Sequence, residues 1–126
     1  MPTRTATEPA TVLVVDDDAL TLMTAIMTVE DAGYIVISAR DADGAMRALL
    51  LHSQIAALFT DINMPGVMDG LALAHETRRL WPAMHILLAS GAVHPVASEM
   101  PDRGQYLRKP YTPSQVVTSL HGLLAA

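Results

Sequence analysis

The sequence predicts an α/β fold in which five β-α units form a doubly wound parallel sheet. Short runs rich in apolar and β-branched residues alternate with segments of helical periodicity, an order typical of crossover connections between parallel strands. The strand runs are almost entirely apolar, as expected for strands that are covered on both faces. The chain has 126 residues, of which 51% are hydrophobic. That length and composition suit the packed core of a single domain.

The predicted strands recur at regular intervals along the chain. They are Thr11–Val15, Tyr34–Ala39, Ile55–Thr60, Met84–Ala89 and the less marked Gln105–Arg108. Residues 1–10 precede the first strand, are mostly polar and contain two prolines. We therefore predict a flexible N-terminal tail over residues 1–10 and one domain over residues 11–126.

Segments with apolar side chains at helical spacing separate the strands. They predict helices over Ala19–Ala32, Ala42–His52, Leu71–Trp81 and Thr112–Leu124. In the first of these, Leu22, Ile26 and Val29 form the apolar stripe, and Met23 and Met27 beside them are expected to fill the core.

Two further features refine the prediction of helices. A helix over Val93–Met100 is limited to about two turns by Pro95 and Pro101. Thr112 is placed to cap the last helix, with Pro113 at its first position.

Composition excludes several classes of protein. The chain has no cysteine, so disulfide frameworks, thiolate zinc sites and cysteine nucleophiles are excluded. The net charge of −5 argues against a nucleic-acid partner. No apolar run has the length of a transmembrane helix, and the first residues lack the apolar core of a signal peptide. We expect a cytoplasmic protein without membrane insertion.

Polar residues that follow four of the predicted strands indicate a site. Asp16 and Asp17 follow the first strand, Asp61 the third, Ser90 the fourth and Lys109, the only lysine, the fifth. In a flavodoxin-like sheet of order 2-1-3-4-5, ligands bind at the carboxyl ends of the strands, between strands one and three. We expect the three aspartates to converge there.

The chemistry of these groups favours phosphoryl binding. Three adjacent carboxylates repel one another unless one keeps a proton or a cation binds, and their oxygens suit Mg²⁺ (or Mn²⁺). An ammonium and a hydroxyl add partners for phosphate oxygens, and a carboxylate can act as the nucleophile. Each residue alone has an ordinary interpretation; Asp18, which follows the pair, is well placed to cap the first helix.

Four motifs at these positions resemble the receiver domain of bacterial two-component response regulators. They are VVDDDA, DINMPGVMDG, LLASG and YLRKP, in that order. The resemblance extends from about Thr11 to Leu124. The LLASG and RKPY forms resemble single-domain receivers that accompany certain alphaproteobacterial sensor kinases.

The resemblance implies roles at the matching positions. Asp61 would be the phosphoacceptor and Asp17 a direct Mg²⁺ ligand. Asp16 would act largely through a water molecule, and the main-chain carbonyl of Asn63 would be a further ligand.

Three other positions match the groups that respond to the phosphoryl group. Lys109 would pair with its oxygens and precede a cis bond to Pro110. Ser90 matches the switch hydroxyl. Tyr106 matches an aromatic residue that turns inward, although a half-buried strand tyrosine with no such role explains it equally well.

The implied protein is a single-domain response regulator and not an enzyme. It would accept a phosphoryl group from a sensor histidine kinase or a histidine phosphotransfer protein. It would act on another, unidentified protein as a phosphorelay intermediate, a phosphate sink or a direct-contact regulator. The alternatives are an aspartyl-phosphate-type phosphohydrolase and a flavodoxin-like FMN carrier. The aspartates between strands one and three disfavour the FMN carrier, because they would repel the FMN phosphate.

Departures from the common receiver pattern concern the site's surroundings. One extra residue lies between Pro65 and Asp69, and Gly91 follows Ser90 where Ala is usual. The first changes the loop after Asp61, and the second is expected to open the site to solvent. The short helix predicted over Val93–Met100 puts an output role for that region in doubt.

Overall fold

A computed structural model describes residues 8–91 and 95–125 and confirms the predicted sheet. All strand pairs are parallel, and the strand order is β2-β1-β3-β4-β5. The strands are β1 (Thr11–Val15), β2 (Ile35–Ala39), β3 (Ile55–Asp61), β4 (His85–Ser90) and β5 (Gln105–Arg108). The α-helices in the described ranges are α1 (Ala19–Asp31), α2 (Ala42–Leu51), α3 (Gly70–Leu80) and α4 (Pro113–Leu124).

The core lies on both faces of the sheet, which explains why the central strands are apolar throughout. On one face, Leu58 and Ile86 pack with Leu49 of α2 and Leu73 of α3. On the other face, side chains of α1 and α4 cover alternate residues of the same strands. Because β2 is an edge strand, it also carries exposed residues such as Ile35.

The last residue of the predicted tail, Ala10, is attached to the sheet. Ala10 is buried, and its carbonyl accepts a hydrogen bond from Ile35 N (2.9 Å). Residues 1–7 lie outside the described ranges, so the flexible tail stays a prediction.

Side-chain caps define where the four helices begin. The capping residues are Asp18, Asp41, Asp69 and Thr112. The predicted caps are confirmed, since Asp18 Oδ2 accepts from Thr21 N (2.8 Å) and Thr112 Oγ1 from Gln115 N (3.2 Å). Three of the nine aspartates are therefore structural. None of the helices in the described ranges is long and apolar enough to cross a membrane.

Two strands are longer at their carboxyl ends than the sequence predicts. Asp61 and Ser90 are the last residues of β3 and β4, not the first residues of loops. Asp61 is in register with Ala89, and Ser90 with Arg108. The sheet thus fixes the backbone of both residues.

The prediction of a helix over Val93–Met100 is wrong for the described residues, 95–100. Only Ala97–Glu99 are helical, as one 3₁₀ turn, and residues 92–94 lie outside the described ranges. Pro95 and Pro101 restrict the segment, as their ring geometry dictates.

Side chains of α3 hold this segment in place of a helix. His75 Nε2 donates to Glu99 O (2.6 Å) and Arg78 Nε to Asp102 O (2.9 Å). The fourth β-α unit therefore depends on hydrogen bonds from α3 where the other units use an amphipathic helix.

The methionines of α1 do not fill the core. Met23 and Met27 are 59% and 58% exposed, whereas Leu22, Ala25 and Val29 are buried. Ala25 belongs to the buried stripe of α1, and both methionines lie outside that stripe. The expectation that they are core residues is wrong.

Gly70 lets α3 begin against the backbone of β3. A Cβ at this position would lie 1.8 Å from the carbonyl oxygen of Asp61. Gly70 N also donates to Ile62 O (2.9 Å), so the start of α3 and the end of β3 are locked together.

We predict that Gly70→Ala lowers the free energy of unfolding by about 2–4 kcal/mol, because the backbone must move to admit the methyl group. Gly122→Ala is the matched control, since a Cβ there meets nothing within 4 Å in helix α4. It should stabilise the protein by about 0.5–1 kcal/mol. Urea unfolding measures both variants, and equal effects would contradict the close approach at Gly70.

Candidate functional site

The carboxyl ends of β1 and β3 bring three carboxylates together. Asp16, Asp17 and Asp61 each offer an oxygen, and these oxygens lie within 4.8 Å of one another. Asp16 and Asp61 are 5% and 8% exposed, and Asp17 is half-buried. The convergence that the strand-end rule predicts is present.

Lys109 faces this cluster from the end of β5. Its Nζ lies 3.4 Å from Asp16 Oδ2 and 3.4 Å from Asp61 Oδ1. The Lys109–Pro110 peptide bond is cis, as the resemblance implies. Lys109 N also donates to Ser90 O (3.0 Å), which ties the lysine backbone to β4.

The two aspartates after β1 are held differently. Asp16 Oδ1 accepts from Asp18 N (2.9 Å), and its Oδ2 faces Lys109, so both of its oxygens already have partners. Asp17 is positioned through its backbone, because Arg40 donates to its carbonyl oxygen (3.3 Å). The Asp17 carboxylate is therefore better placed to bind a cation directly.

Ser90 lies fully buried beside the cluster. Its Oγ accepts a hydrogen bond from Asn63 Nδ2 (2.9 Å), and its carbonyl accepts one from Tyr106 OH (3.0 Å). Tyr106 is half-buried and packs against the core. The motif gave Asn63 only a main-chain role, and no signal in the sequence indicated its side-chain contact with Ser90.

The departures noted in the sequence border the site. Gly91 lines a cavity of about 610 Å³ with Leu20, Lys109 and Tyr111, and a Cβ at Gly91 would lie 3.3 Å from Lys109 Cβ. The loop with the extra residue turns at Gly66, where φ is 112°, and leaves Val67 fully exposed.

Burial and charge set the pKa values of the facing groups. Desolvation of the carboxylate raises the pKa of Asp61 above its ordinary value, and the charge of Asp16 adds to this, although Lys109 opposes it. Burial acts to lower the pKa of Lys109, but the carboxylates of Asp16 and Asp61 outweigh it and raise that pKa. Burial also raises the pKa of Tyr111.

The donor set fits a divalent cation. Three carboxylates against one ammonium leave an excess of negative charge. Hard carboxylate oxygens of this kind suit Mg²⁺, which needs only one or two carboxylates and keeps water ligands.

Comparison with known proteins identifies the family. Residues 12–121 match the family model of the response regulator receiver domain. The chain belongs to this family. Its fold is thus that of a receiver domain.

Individual relatives are similar over nearly all of this receiver domain. A crystal structure of a response regulator receiver protein from Sinorhizobium medicae is 32% identical, with a TM-score of 0.86, and the match covers 94% of this chain and 97% of that one. The probable transcriptional regulatory protein TcrX of Mycobacterium tuberculosis is 30% identical over 93% of this chain and 50% of its own length. The sensor kinase CckA of Brucella abortus is 29% identical over 91% of this chain and 12% of its own length. The chain therefore spans half or less of these two curated relatives.

We predict that Asp61→Asn raises the Tm of the metal-free receiver domain at neutral pH. Because the folded state raises the pKa of Asp61, it binds a proton more readily than the unfolded chain does, and the ionised carboxylate costs stability. A gain of about 1 kcal/mol corresponds to about 4 °C.

The gain should shrink as the pH falls below the folded-state pKa of Asp61, where the wild-type carboxyl is already neutral. Asp31→Asn, at an exposed position at the end of α1, is the matched control and should leave the Tm nearly unchanged. Calorimetry at several pH values measures the effect, and a lower Tm for Asp61→Asn at neutral pH would contradict the electrostatic assignment.

Proposed function

We propose that this receiver domain accepts a phosphoryl group on Asp61 from a phosphohistidine and then signals to another protein. The observation that carries the proposal is the placement of Asp61: a buried carboxylate at the end of β3, beside two other carboxylates and 3.4 Å from Lys109 Nζ. A nucleophile, a cation site and a fixed ammonium are the components that phosphoryl transfer requires.

In the proposed reaction, an Asp61 oxygen attacks the phosphorus of phosphohistidine in line with the leaving nitrogen. The new bond joins the carboxylate oxygen to phosphorus, the phosphorus–nitrogen bond breaks, and the imidazole retains the electron pair and takes up a proton. Lys109 would pair with the phosphoryl oxygens. When bound, Mg²⁺ would neutralise charge on the transferring group.

The ligands that we propose for the ion come from two strand ends. They are the carboxylates of Asp17 and Asp61, the main-chain carbonyl of Asn63, and Asp16 acting through water. Asp16 suits the indirect role because Asp18 N and Lys109 already occupy its two oxygens.

Phosphorylation would change the charge at the buried end of the sheet by about −1.5 to −2. Lys109 would respond first, since its Nζ lies beside Asp61. Ser90, whose hydroxyl contacts Asn63, would respond with it. Tyr106 would respond through its bond to the Ser90 carbonyl. We propose this group as the switch that connects the site to the surface formed by β4 and β5.

The phosphodonor is proposed to be a sensor histidine kinase or a histidine phosphotransfer protein, and the chain a signalling phosphoacceptor and not an enzyme. Its downstream role as relay intermediate, phosphate sink or direct-contact regulator stays open. A phosphohydrolase would turn over aryl phosphates. An FMN carrier would bring a phosphate against the three carboxylates, which repel it.

An apolar stripe on α1 favours a protein as the phosphodonor. Leu20, Met23 and Met27 are 75%, 59% and 58% exposed, and their spacing places them on one side of the helix. Leu20 lines the cavity beside Lys109, and Met27 lines a groove of about 570 Å³ between α1 and α4. A helical partner seated there would reach from the groove to the mouth of the site.

We predict that Asp61→Asn abolishes labelling by acetyl phosphate with Mg²⁺, since no other residue in the cluster takes the nucleophile's role. Removal of the ion with a chelator should abolish labelling of the wild type as well. Asp31→Asn is the matched control and should be labelled like the wild type. Intact-protein mass spectrometry measures the added phosphoryl group, and labelling of Asp61→Asn would overturn the proposal.

We also predict that Met23→Glu slows phosphotransfer from the kinase or phosphotransfer protein by about tenfold or more, because a charge replaces apolar contact area. Labelling by acetyl phosphate should stay within about twofold of the wild type. Leu51→Glu, at an exposed leucine in α2, is the control for a general surface effect. A phosphotransfer profile against the purified kinases of the source organism provides the donor. Equal slowing by both variants would contradict docking on α1.

A further inference from the structure

The side chain of Asn63 contacts Ser90 in a way that the proposed transfer does not use. Asn63 Nδ2 donates to Ser90 Oγ at 2.9 Å, across a sequence separation of 27 residues. The backbone bond from Ile62 N to Ala89 O (2.8 Å) lies one residue before both partners. The side-chain bond therefore continues the connection between β3 and β4 beyond their last backbone pair.

The backbone of Ser90 is fixed, so its hydroxyl is the part that can move. The Ser90 carbonyl accepts from Lys109 N and from Tyr106 OH, both at 3.0 Å. The residue is fully buried, and a buried hydroxyl that leaves one hydrogen-bond partner must find another. The Asn63 amide thus adds a cost to any reorientation of the hydroxyl.

We propose that the Asn63 side chain is a latch on the switch hydroxyl. It holds Ser90 Oγ in one orientation while Asp61 is unphosphorylated. It releases the hydroxyl when a phosphoryl group on Asp61 offers charged oxygens, which are stronger hydrogen-bond partners than a neutral amide. This inference rests on the proposed phosphoacceptor function of Asp61.

The latch would link two parts of the site through one residue. The main-chain carbonyl of Asn63 is a proposed Mg²⁺ ligand, whereas its amide contacts Ser90. A truncated side chain keeps the carbonyl, so substitution isolates the amide. Asn63 is in this respect a positioning residue, since it acts through Ser90 and not on phosphorus.

A double-mutant cycle on protein stability tests the latch. Urea unfolding is measured with Mg²⁺ for the wild type, Asn63→Ala, Ser90→Ala and the double variant. The four proteins are measured again with beryllofluoride, a mimic of the phosphoryl group. The cycle removes effects that each substitution has on its own and reports the coupling between the two side chains in each state.

Without the mimic, we expect a coupling of about fivefold in the unfolding constant, the size of one hydrogen bond. With the mimic, the coupling should fall to within about 1.5-fold of unity. A second cycle with Asn63→Ala and Thr118→Ala, at an exposed residue of α4, is the control and should be additive in both conditions.

Two results would overturn the latch. Coupling that is absent without the mimic means that the bond does not hold the hydroxyl. Coupling that is equal in both states means that the bond is structural and is not released. If beryllofluoride with Mg²⁺ fails to stabilise the wild type, the proposed function fails, and the release step with it; the coupling without the mimic still decides whether Asn63 holds Ser90.

Discussion

The structure depends on one unfavourable arrangement, in which three carboxylates lie together at the carboxyl ends of β1 and β3 with the Lys109 ammonium opposite them. Like charges at this distance repel, and burial removes the water that would screen them. Burial of the carboxylate is the main cause of the raised pKa of Asp61, and the charge of Asp16 adds to it. A divalent cation bound by these oxygens would relieve the repulsion. The rest of the fold holds the carboxylates in place against their repulsion.

Rigid elements supply that restraint. Asp61 is a paired strand residue, and α3 begins against its carbonyl because Gly70 has no side chain. Asp16 is held by Asp18 N and by Lys109. The side chains of Ser90 and Tyr106 are joined to this frame by hydrogen bonds, from Asn63 Nδ2 to Ser90 Oγ and from Tyr106 OH to the Ser90 carbonyl. The strand backbone thus fixes the position of the Asp61 carboxylate, whereas rotatable side-chain groups connect Ser90 to its neighbours.

The site was predictable because its residues follow from topology. Asp61 ends β3, Asp16 and Lys109 directly follow β1 and β5, and the strand order brings the three residues together. The lack of an α-helix over residues 95–100 could not be predicted. The side chains of His75 and Arg78 hold this segment through hydrogen bonds to backbone carbonyls, and such bonds leave no periodic pattern in the sequence. The burial of Met23 and Met27 was predicted wrongly because helical spacing does not show which of two adjacent stripes of apolar residues faces the sheet. The contact between Asn63 and Ser90 joins residues far apart in sequence, and neither local motif indicates it.

The chain's only lysine is Lys109, which lies in the site with its side chain 26% exposed. Its Nζ is therefore the only side-chain amine in the molecule. Selective nitrogen labelling of lysine would give a single ammonium resonance, and that resonance would come from the group that faces Asp16 and Asp61. Acylation of lysine side chains, whether enzymatic or chemical, would remove in a single event the positive charge that faces Asp16 and Asp61. Lysine-directed chemistry on this chain would thus act at the acidic cluster.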